Sequence, residues 1–208
     1  MSDHVARIPL REVIDEPAEP VLRCTVAVVA ALMRAVTHTD WRQREKIPQR
    51  GGVVFVANHI SNFDPLAIGH FLTWCGRWPR FLAKAELFGV PVIGWIARHS
   101  GQIEVRRAGP EAARSVDAAI AAVRAGRAVT IYPEGTITAD PLVWPMTGRT
   151  GAARVALGAG CAVIPIGQWG AHEVMPGKKP AWPRLIPRKT MRVIAGDPVD
   201  LTDLRDRP

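Results

Sequence analysis

The sequence predicts an α/β domain, because short β-branched runs of strand length alternate with longer segments of helical character. The chain has 208 residues, of which 48% are hydrophobic and 22% are charged, a composition that suits one globular domain with a buried core. No internal repeat and no low-complexity linker divides it. We expect an N-terminal segment with an amphipathic helix at residues 1–40 and the main domain at residues 41–208.

The order of the predicted elements supports this fold class. Five β-branched runs are predicted strands, and four segments between them are predicted helices. Three of these helices have proline as their predicted first residue, a position that proline favours. The predicted strands cover residues 53–56, 103–105, 129–132, 163–166 and 191–194, and the predicted helices cover residues 65–74, 91–99, 110–124 and 151–157.

Apolar residues also recur with helical spacing at residues 21–36, near the N-terminus. The apolar stretch from Thr25 to Met33 is shorter than the roughly 20 residues that a membrane-spanning helix needs. Two interpretations of this helix stay open: it packs on the main core, or it lies in a membrane interface.

The charge balance points to an anionic partner. Lys and Arg number 27 against 19 Asp and Glu, which gives a net charge of +8. Nucleic acid, a phospholipid surface and a phosphorylated small molecule would each suit it. A basic segment at residues 178–192, which contains Trp182, is either a solvated loop or a patch that faces lipid or phosphate.

The three cysteines, Cys24, Cys75 and Cys161, are widely spaced and form no C-x-x-C pair. This spacing argues against a disulfide framework and against a zinc site, and no other set of ligand residues indicates a metal. The first 20 residues lack the features of a secretory signal. We therefore expect a reducing, cytoplasmic setting and no bound metal.

Polar residues follow the strand at residues 53–56 directly, where α/β proteins place their sites. Among them, His59 and Asp64 lie five residues apart in a turn. They can form a hydrogen-bonded pair in which the carboxylate orients the imidazole and stabilises its protonated form, so that the pair takes a proton from a hydroxyl. Asp64 directly before Pro65 also fits a helix N-cap, which requires no catalysis. Asn58 and Ser61 belong to the same polar turn.

The strand at residues 129–132 ends in a second polar turn that contains Glu134, Gly135 and Thr136. This turn is either a simple chain reversal with a cap or, where the two strand ends converge, the other half of one crevice. Gly135 would let backbone N–H groups approach a phosphate or glycerol oxygen, and Thr136 adds a hydroxyl.

Arg106 and Arg107 follow the strand at residues 103–105. An arginine there is either a solvated surface charge or a donor of two hydrogen bonds to a phosphate. The sequence contains no phosphate-binding G-x-x-x-x-G-K-[ST] loop, no G-x-G-x-x-G, no G-x-S-x-G and no H-E-x-x-H. Their absence argues against nucleotide hydrolysis, dinucleotide chemistry, acyl-enzyme catalysis of the hydrolase type and zinc peptidase chemistry.

Four blocks in order resemble the glycerophospholipid acyltransferases, specifically the 1-acyl-glycerol-3-phosphate (lysophosphatidic acid) acyltransferases. Between the first two, the segment Ala83 to Leu87 is similar to the family's A-K-x-E-L, and the resemblance covers about residues 45–170. Residues 58–64 fit N-H-x-S-x-x-D, residues 101–106 fit the block that begins G-x-I and ends in arginine, residues 132–136 fit F-P-E-G-T, and residues 163–166 fit V-I-P-[VI].

The resemblance implies a glycerophospholipid-acyltransferase-type domain, with a mixed, largely parallel central sheet flanked by helices and an N-terminal interfacial helix. It implies acyl transfer from an acyl thioester of coenzyme A or acyl carrier protein to the free hydroxyl of lysophosphatidic acid, which makes phosphatidic acid in phospholipid biosynthesis. No covalent enzyme intermediate and no cofactor are expected. His59 would be the general base, and Asp64 would orient it.

The resemblance also assigns substrate-binding residues, and the chain departs from the family beside them. Ile137 and Thr138 stand where the family commonly has Arg and Ser, so one acceptor contact is missing. Arg149 stands where the family has lysine. The expected substrate-binding residues are Arg106, Glu134, Gly135, Thr136, Asn58, Ser61 and Lys84.

Basic and aromatic residues are interspersed between Arg77 and Arg107, which suits a membrane surface that supplies the lysophospholipid, although the tryptophans among them would equally fit a hydrophobic core. We expect a peripheral or monotopic protein on the cytoplasmic face of the membrane. The alternatives keep the chemistry on glycerol-3-phosphate, another lysophospholipid or a glycosylated lipid, or replace it with a catalytically silent basic module that binds membranes. Nucleic acid is not expected, because no nucleic-acid-binding module is recognisable.

Overall fold

A computed structural model of the chain describes residues 10–106, 110–177 and 182–205. It confirms an α/β fold with one seven-stranded sheet, in which the strand order is β1-β7-β6-β2-β5-β3-β4. Every described strand pair is parallel except β6 with β7, so the sheet is mixed and largely parallel. The strands are β1 (Thr37–Arg42), β2 (Val53–Ala57), β3 (Pro79–Lys84), β4 (Ile103–Val105), β5 (Ala128–Ile131), β6 (Ala162–Trp169) and β7 (Lys189–Ala195).

Helices cover both faces of the sheet, as a parallel sheet requires because its central strands are buried on both sides. The helices are α1 (Leu10–Val13), α2 (Pro20–Val36), α3 (Asp64–Trp74), α4 (Ala85–Phe88), α5 (Ile93–His99), α6 (Pro110–Arg124), α7 (Gly151–Ala159), α8 (Ala171–Val174) and α9 (Thr202–Arg205), with a 3-10 turn at Arg44–Lys46.

Alternating residues of β2 form two hydrophobic cores. Phe55 faces α3 and packs with Ile68 and Phe71, all of them inaccessible to solvent. Val54 points to the opposite face and packs in the second core, which α6 and α7 cover and to which Val155 belongs. Strand β2 therefore lies in the centre of the molecule, and its carboxyl end is fixed from both sides.

The sequence patterns missed two strands, β1 and β3. Strand β1 is an edge strand whose residues are mostly half-exposed or exposed, so it lacks a run of β-branched residues. Strand β3 begins with Pro79 and buries Arg80, which makes its sequence look like a loop. The domain boundary expected between residues 40 and 41 falls inside β1, which pairs with β7, so the N-terminal helix leads directly into the sheet.

Helix α2 packs on the domain and also presents an exposed apolar side. Leu22, Val26 and Met33 are buried, whereas Val28 and Leu32 are exposed. The segment before the helix is attached to the domain, because the indole of Trp78 donates a hydrogen bond of 2.6 Å to the Glu16 carbonyl. The packing of α2 on the main core is thus confirmed, and its position in a membrane interface stays a prediction.

Arg77 joins the amino ends of two neighbouring strands. Its guanidinium is inaccessible to solvent and donates hydrogen bonds to the carbonyls of Pro48 (2.7 Å), Gly51 (2.6 Å) and Gly126 (3.0 Å). Glu16 lies 3.6 Å away as its ionic partner. Burial lowers the pKa of Arg77, although Glu16 opposes this shift. Gly51 and Gly126 precede β2 and β5 by two residues, so this one side chain fixes where both strands begin.

Replacing Arg77 with methionine is expected to destabilise the fold by about 3 kcal/mol, because three carbonyls lose their donor and Glu16 loses its counter-charge. Urea unfolding followed by circular dichroism measures the change. The matched control is Arg50→Met, since Arg50 is 87% exposed and pairs with an equally exposed Asp15. We expect less than about 0.5 kcal/mol from the control. Equal losses in the two variants would contradict a structural function of Arg77.

Two predicted features lie partly outside the described residues, namely Arg107 and residues 178–181 of the basic segment. The rest of that segment carries Trp182 as an exposed side chain and then enters β7. In the part of the chain that the structure describes, no helix is long and apolar enough to cross a membrane.

Candidate active site

The candidate active site forms where β2 and β5 end, because the two strands are adjacent and parallel, with Val56 opposite Ile131. The residues that follow them therefore meet at the same edge of the sheet, as the sequence patterns predict. The turn after β2 runs through His59 into α3, and the turn after β5 carries Glu134.

Asp64 organises the turn after β2 through one carboxylate oxygen. Its Oδ2 accepts hydrogen bonds from the Nδ1 of His59 (2.8 Å) and from the backbone N–H groups of Ile60 (2.6 Å) and Ser61 (2.9 Å). The side chain is inaccessible to solvent. Asp64 is the first residue of α3 and binds N–H groups that precede the helix, so it holds the turn and does not act as a helix N-cap.

These contacts define the state of the His59 imidazole. A carboxylate can only accept a hydrogen bond, so the proton of the neutral ring lies on Nδ1 and the lone pair lies on Nε2. The ring stacks on Tyr132 at a centroid distance of 4.2 Å, which fixes its plane. Burial and the nearby Asp64 carboxylate raise the pKa of Tyr132 well above its usual value, so this neighbour stays neutral. The geometry gives His59 a basic nitrogen that Asp64 does not occupy.

Glu134 fixes the backbone of His59. Its Oε1 accepts a hydrogen bond of 2.9 Å from the His59 N–H, and its Oε2 accepts one of 2.9 Å from the Met146 N–H. The His59 carbonyl in turn accepts a hydrogen bond of 2.8 Å from the Thr138 N–H. Both oxygens of the buried Glu134 carboxylate thus bind the protein, although a substrate contact was expected from this residue.

Asn58 and Ser61, also expected to contact substrate, direct their side chains to other parts of the backbone. The amide of Asn58 binds the main chain of Gln168 in β6 twice, at 2.9 and 3.0 Å. The hydroxyl of Ser61 donates a hydrogen bond of 2.7 Å to the Met175 carbonyl. These contacts anchor the turn after β2 to β6 and to the segment after α8. A cavity opens beside His59, and none of Asn58, Ser61 and Glu134 is among the described residues that line it.

His59 opens into a cavity of about 760 Å³, a size typical of sites for small molecules and cofactors. Most of the wall is apolar. One part lies between α2 and α3, and another lies between α5, α6 and α7. The predicted residues Lys84, Arg106, Gly135 and Thr136 line this cavity together with His59. Gly135 has a φ of +67°, a conformation that favours glycine and brings the turn's backbone to the wall.

Arg106 lines the cavity with its charge already paired. Its guanidinium donates hydrogen bonds to Glu104 at 2.9 Å and to Glu111 at 3.0 and 3.1 Å. These hydrogen bonds, Glu104 first, raise the pKa of Arg106. The sequence patterns could not reveal this pairing, because Glu111 belongs to the next helix.

Several residues that form the site were not predicted from the sequence. Arg154 in α7 lines the cavity, and nothing in its helical pattern distinguishes it from a solvated arginine. The stacking of Tyr132 on His59 was not predicted either. Tyr132 is the fourth residue of a predicted strand, and the alternation of side chains along a strand could have indicated that it faces α3. Helix α2 contributes Val26 and Val29 to the cavity wall, so the N-terminal helix belongs to the site.

Comparison with known proteins agrees with this geometry. The Acyltransferase family model matches residues 38–169, which is more than half of the chain and includes both polar turns. The chain belongs to this acyltransferase family. The match begins within β1 and ends at the end of β6. It therefore includes the turns after β2 and β5, and all or most of six of the seven described strands.

Among individual relatives, the chain is 31% identical over 142 residues to a chloroplastic 1-acyl-sn-glycerol-3-phosphate acyltransferase of Brassica napus, a match that covers 66% of this chain and 39% of the relative. It is 35% identical over 118 residues to a lyso-ornithine lipid O-acyltransferase of Pseudomonas aeruginosa, covering 56% of this chain and 43% of that protein. The matched region thus spans about two fifths of the length of these relatives.

A solved structure shares the fold of this acyltransferase-family chain. The 1-acyl-sn-glycerophosphate (LPA) acyltransferase PlsC from Thermotoga maritima superposes with a TM-score of 0.67 at 22% sequence identity. The match covers 86% of this chain and 68% of that one.

Proposed function

We propose that the protein is an O-acyltransferase that moves a fatty acyl group from an acyl thioester to the free hydroxyl of lysophosphatidic acid and so makes phosphatidic acid. The observation that carries the proposal is the His59–Asp64 pair, with His59 at the wall of a large, mostly apolar cavity. The names of several relatives support lysophosphatidic acid as the acceptor.

In the proposed reaction, Nε2 of His59 removes the proton of the acceptor hydroxyl as its oxygen attacks the thioester carbonyl carbon. The new C–O bond forms, and the tetrahedral intermediate collapses with cleavage of the C–S bond. The protonated imidazole returns the proton to the leaving thiolate. Asp64 stabilises the imidazolium between these steps, because its carboxylate lies 2.8 Å from Nδ1. No cofactor takes part, and the donor is an acyl thioester of coenzyme A or of acyl carrier protein.

Free-thiol release from palmitoyl-coenzyme A tests the proposal directly. Lysophosphatidic acid, glycerol-3-phosphate and lyso-ornithine lipid serve as acceptors, the last because a 35% identical relative is named for it. We expect release that depends on the acceptor and is fastest with lysophosphatidic acid. A folded protein that gives no turnover with any acceptor, from either a coenzyme A or a carrier-protein donor, would favour the catalytically silent membrane-binding module.

We also propose that the protein docks on the cytoplasmic face of an anionic bilayer through α2 and the region of α5. Val28, Val92 and Trp95 are 69%, 70% and 51% exposed, and the two helices contact each other. Val26 of α2 and Ile96 of α5 line the cavity, so the exposed apolar surface continues into its wall. The net charge of +8 favours a surface of anionic lipid.

Substituting Trp95 with serine is expected to weaken binding to anionic vesicles about tenfold, because an indole that inserts at the interface is lost. Co-sedimentation with vesicles of phosphatidylglycerol and phosphatidylcholine measures the binding. The control is Trp182→Ser on the basic segment, because the side chain of Trp182 is more exposed than that of Trp95. Loss of binding in Trp182→Ser alone would transfer the docking surface to that segment.

A further inference from the structure

Among the described residues, four cationic side chains line the cavity: Lys84, Arg106, Arg149 and Arg154. They differ in whether a carboxylate already neutralises them. Arg106 is held between Glu104 and Glu111, so an anion that approached it would also meet two negative charges. Arg106 is therefore a poor binding group for a phosphate despite its position.

The other three cations have no such counter-charge among the residues that the structure describes. Within the described parts of the chain, no carboxylate oxygen lies within ion-pair distance, 4.0 Å, of Lys84, Arg149 or Arg154. A cluster of uncompensated cations on the wall of a largely apolar cavity produces a local positive potential. An anionic group that enters the cavity is attracted there.

Arg149 is attached to the catalytic turns. Its N–H donates a hydrogen bond of 2.8 Å to the carbonyl of Pro133, and the next residue, Glu134, accepts the N–H of His59 at 2.9 Å. The backbones of Arg149 and His59 thus bind two consecutive residues of the same turn. Arg154 lies three residues after Gly151, on the side of α7 that faces the cavity.

The turn itself supplies no cation. Ile137 directly follows Gly135 and Thr136, and its side chain is 6% exposed and apolar. Positive charge beside this turn therefore has to come from the neighbouring segment, where Arg149 precedes α7.

We propose, on the basis of the acyltransferase function proposed above, that Arg149 and Arg154 bind the phosphate monoester of the acceptor. In lysophosphatidic acid only a short C–C–O linkage separates the reacting hydroxyl from the phosphate, so the phosphate site has to lie close to His59. The phosphates of coenzyme A lie at the far end of the pantetheine arm from the thioester, which makes a site beside the catalytic turn unsuitable for them. Two guanidinium groups can each donate two hydrogen bonds to phosphate oxygens.

The test compares Arg149→Gln, Arg154→Gln and the double variant in the thiol-release assay. We expect the KM for lysophosphatidic acid to rise roughly 10- to 100-fold in the double variant, with kcat within about threefold and the KM for palmitoyl-coenzyme A unchanged. Arg149→Lys should recover part of the affinity, because it keeps the charge and loses the fork. The matched control is Arg42→Gln in β1, whose 67% exposed side chain pairs with Asp40.

Three kinetic results would overturn the proposal: an unchanged acceptor KM in the double variant, a larger increase from Arg106→Gln, or an increase confined to the KM of palmitoyl-coenzyme A. The last result would assign the two arginines to the donor.

Equilibrium binding separates this proposal from the acyltransferase function, since it needs no turnover. Calorimetric titration of short-chain lysophosphatidic acid into His59→Ala should give a Kd that rises at least tenfold when Arg149→Gln and Arg154→Gln are added. Monoacylglycerol, which lacks the phosphate, should bind without dependence on the arginines. An unchanged Kd for lysophosphatidic acid overturns the phosphate site even if the wild type is active, whereas a wild type without turnover and a raised Kd would contradict only the catalytic proposal.

Discussion

Replacing His59 with alanine is expected to reduce kcat for acyl transfer by roughly 10³-fold and to leave the fold intact. In the proposed reaction the imidazole removes the hydroxyl proton, and no other side chain in the two turns offers a basic nitrogen in its position. The backbone contacts of residue 59 to Glu134 and Thr138 do not involve the side chain. Asp64 keeps its hydrogen bonds from two backbone N–H groups.

Thiol release with lysophosphatidic acid measures the loss, and thermal unfolding followed by circular dichroism measures the fold. His172→Gln is the matched control, because His172 belongs to α8, lies against Trp169 and is not among the described residues that line the cavity. We expect wild-type turnover from this control. A His59→Ala protein that keeps more than about a tenth of the wild-type kcat would remove His59 from the reaction.

Replacing Asp64 with asparagine is expected to lower kcat by about 10² to 10⁴-fold, with little change in the acceptor KM. An asparagine amide cannot stabilise the imidazolium as a carboxylate does.

The same substitution is expected to cost only about 1 to 3 kcal/mol of stability, since the amide oxygen can still accept the N–H groups of Ile60 and Ser61. Enzyme kinetics together with urea unfolding therefore separate the two functions of Asp64. An Asp64→Asn protein that is folded and turns over at the wild-type rate would restrict Asp64 to holding the turn. A protein that does not fold would show that the carboxylate itself is indispensable for the turn, and Asp64→Glu would then test the orientation of His59.

The central part of the fold was predictable from sequence because its strands are buried on both sides. Strand β2 is a continuous apolar run and β5 is apolar except for Thr130, and such runs are recognisable without any structural information. Strand β3 was not predictable, because its burial depends on a partner far away in the chain. Arg80 in β3 is 4% exposed, and its guanidinium binds the carbonyls of Ser100 and Gly101 as well as Glu19.

The convergence of the two turns was predictable for the same reason, since adjacent parallel strands end at the same edge. What each polar side chain contacts was not. Glu134 and Asn58 are residue types that are common in binding sites, yet the side chains of both form hydrogen bonds with the backbone of neighbouring segments. Whether such a side chain meets a substrate or a backbone group depends on the exact positions of the folded segments. Spacing along the chain does not encode those positions.

Arg77 and the catalytic turns lie at opposite edges of the same sheet, and this separation has a consequence for how the protein can change. The amino ends of β2 and β5 are fixed by the carbonyls that Arg77 binds, and these contacts do not involve the turns at the carboxyl ends. Substitutions around the cavity can then alter acceptor preference without loosening the strands that carry them. Proteins with this scaffold can therefore differ in the residues of the cavity while the amino ends of β2 and β5 stay fixed.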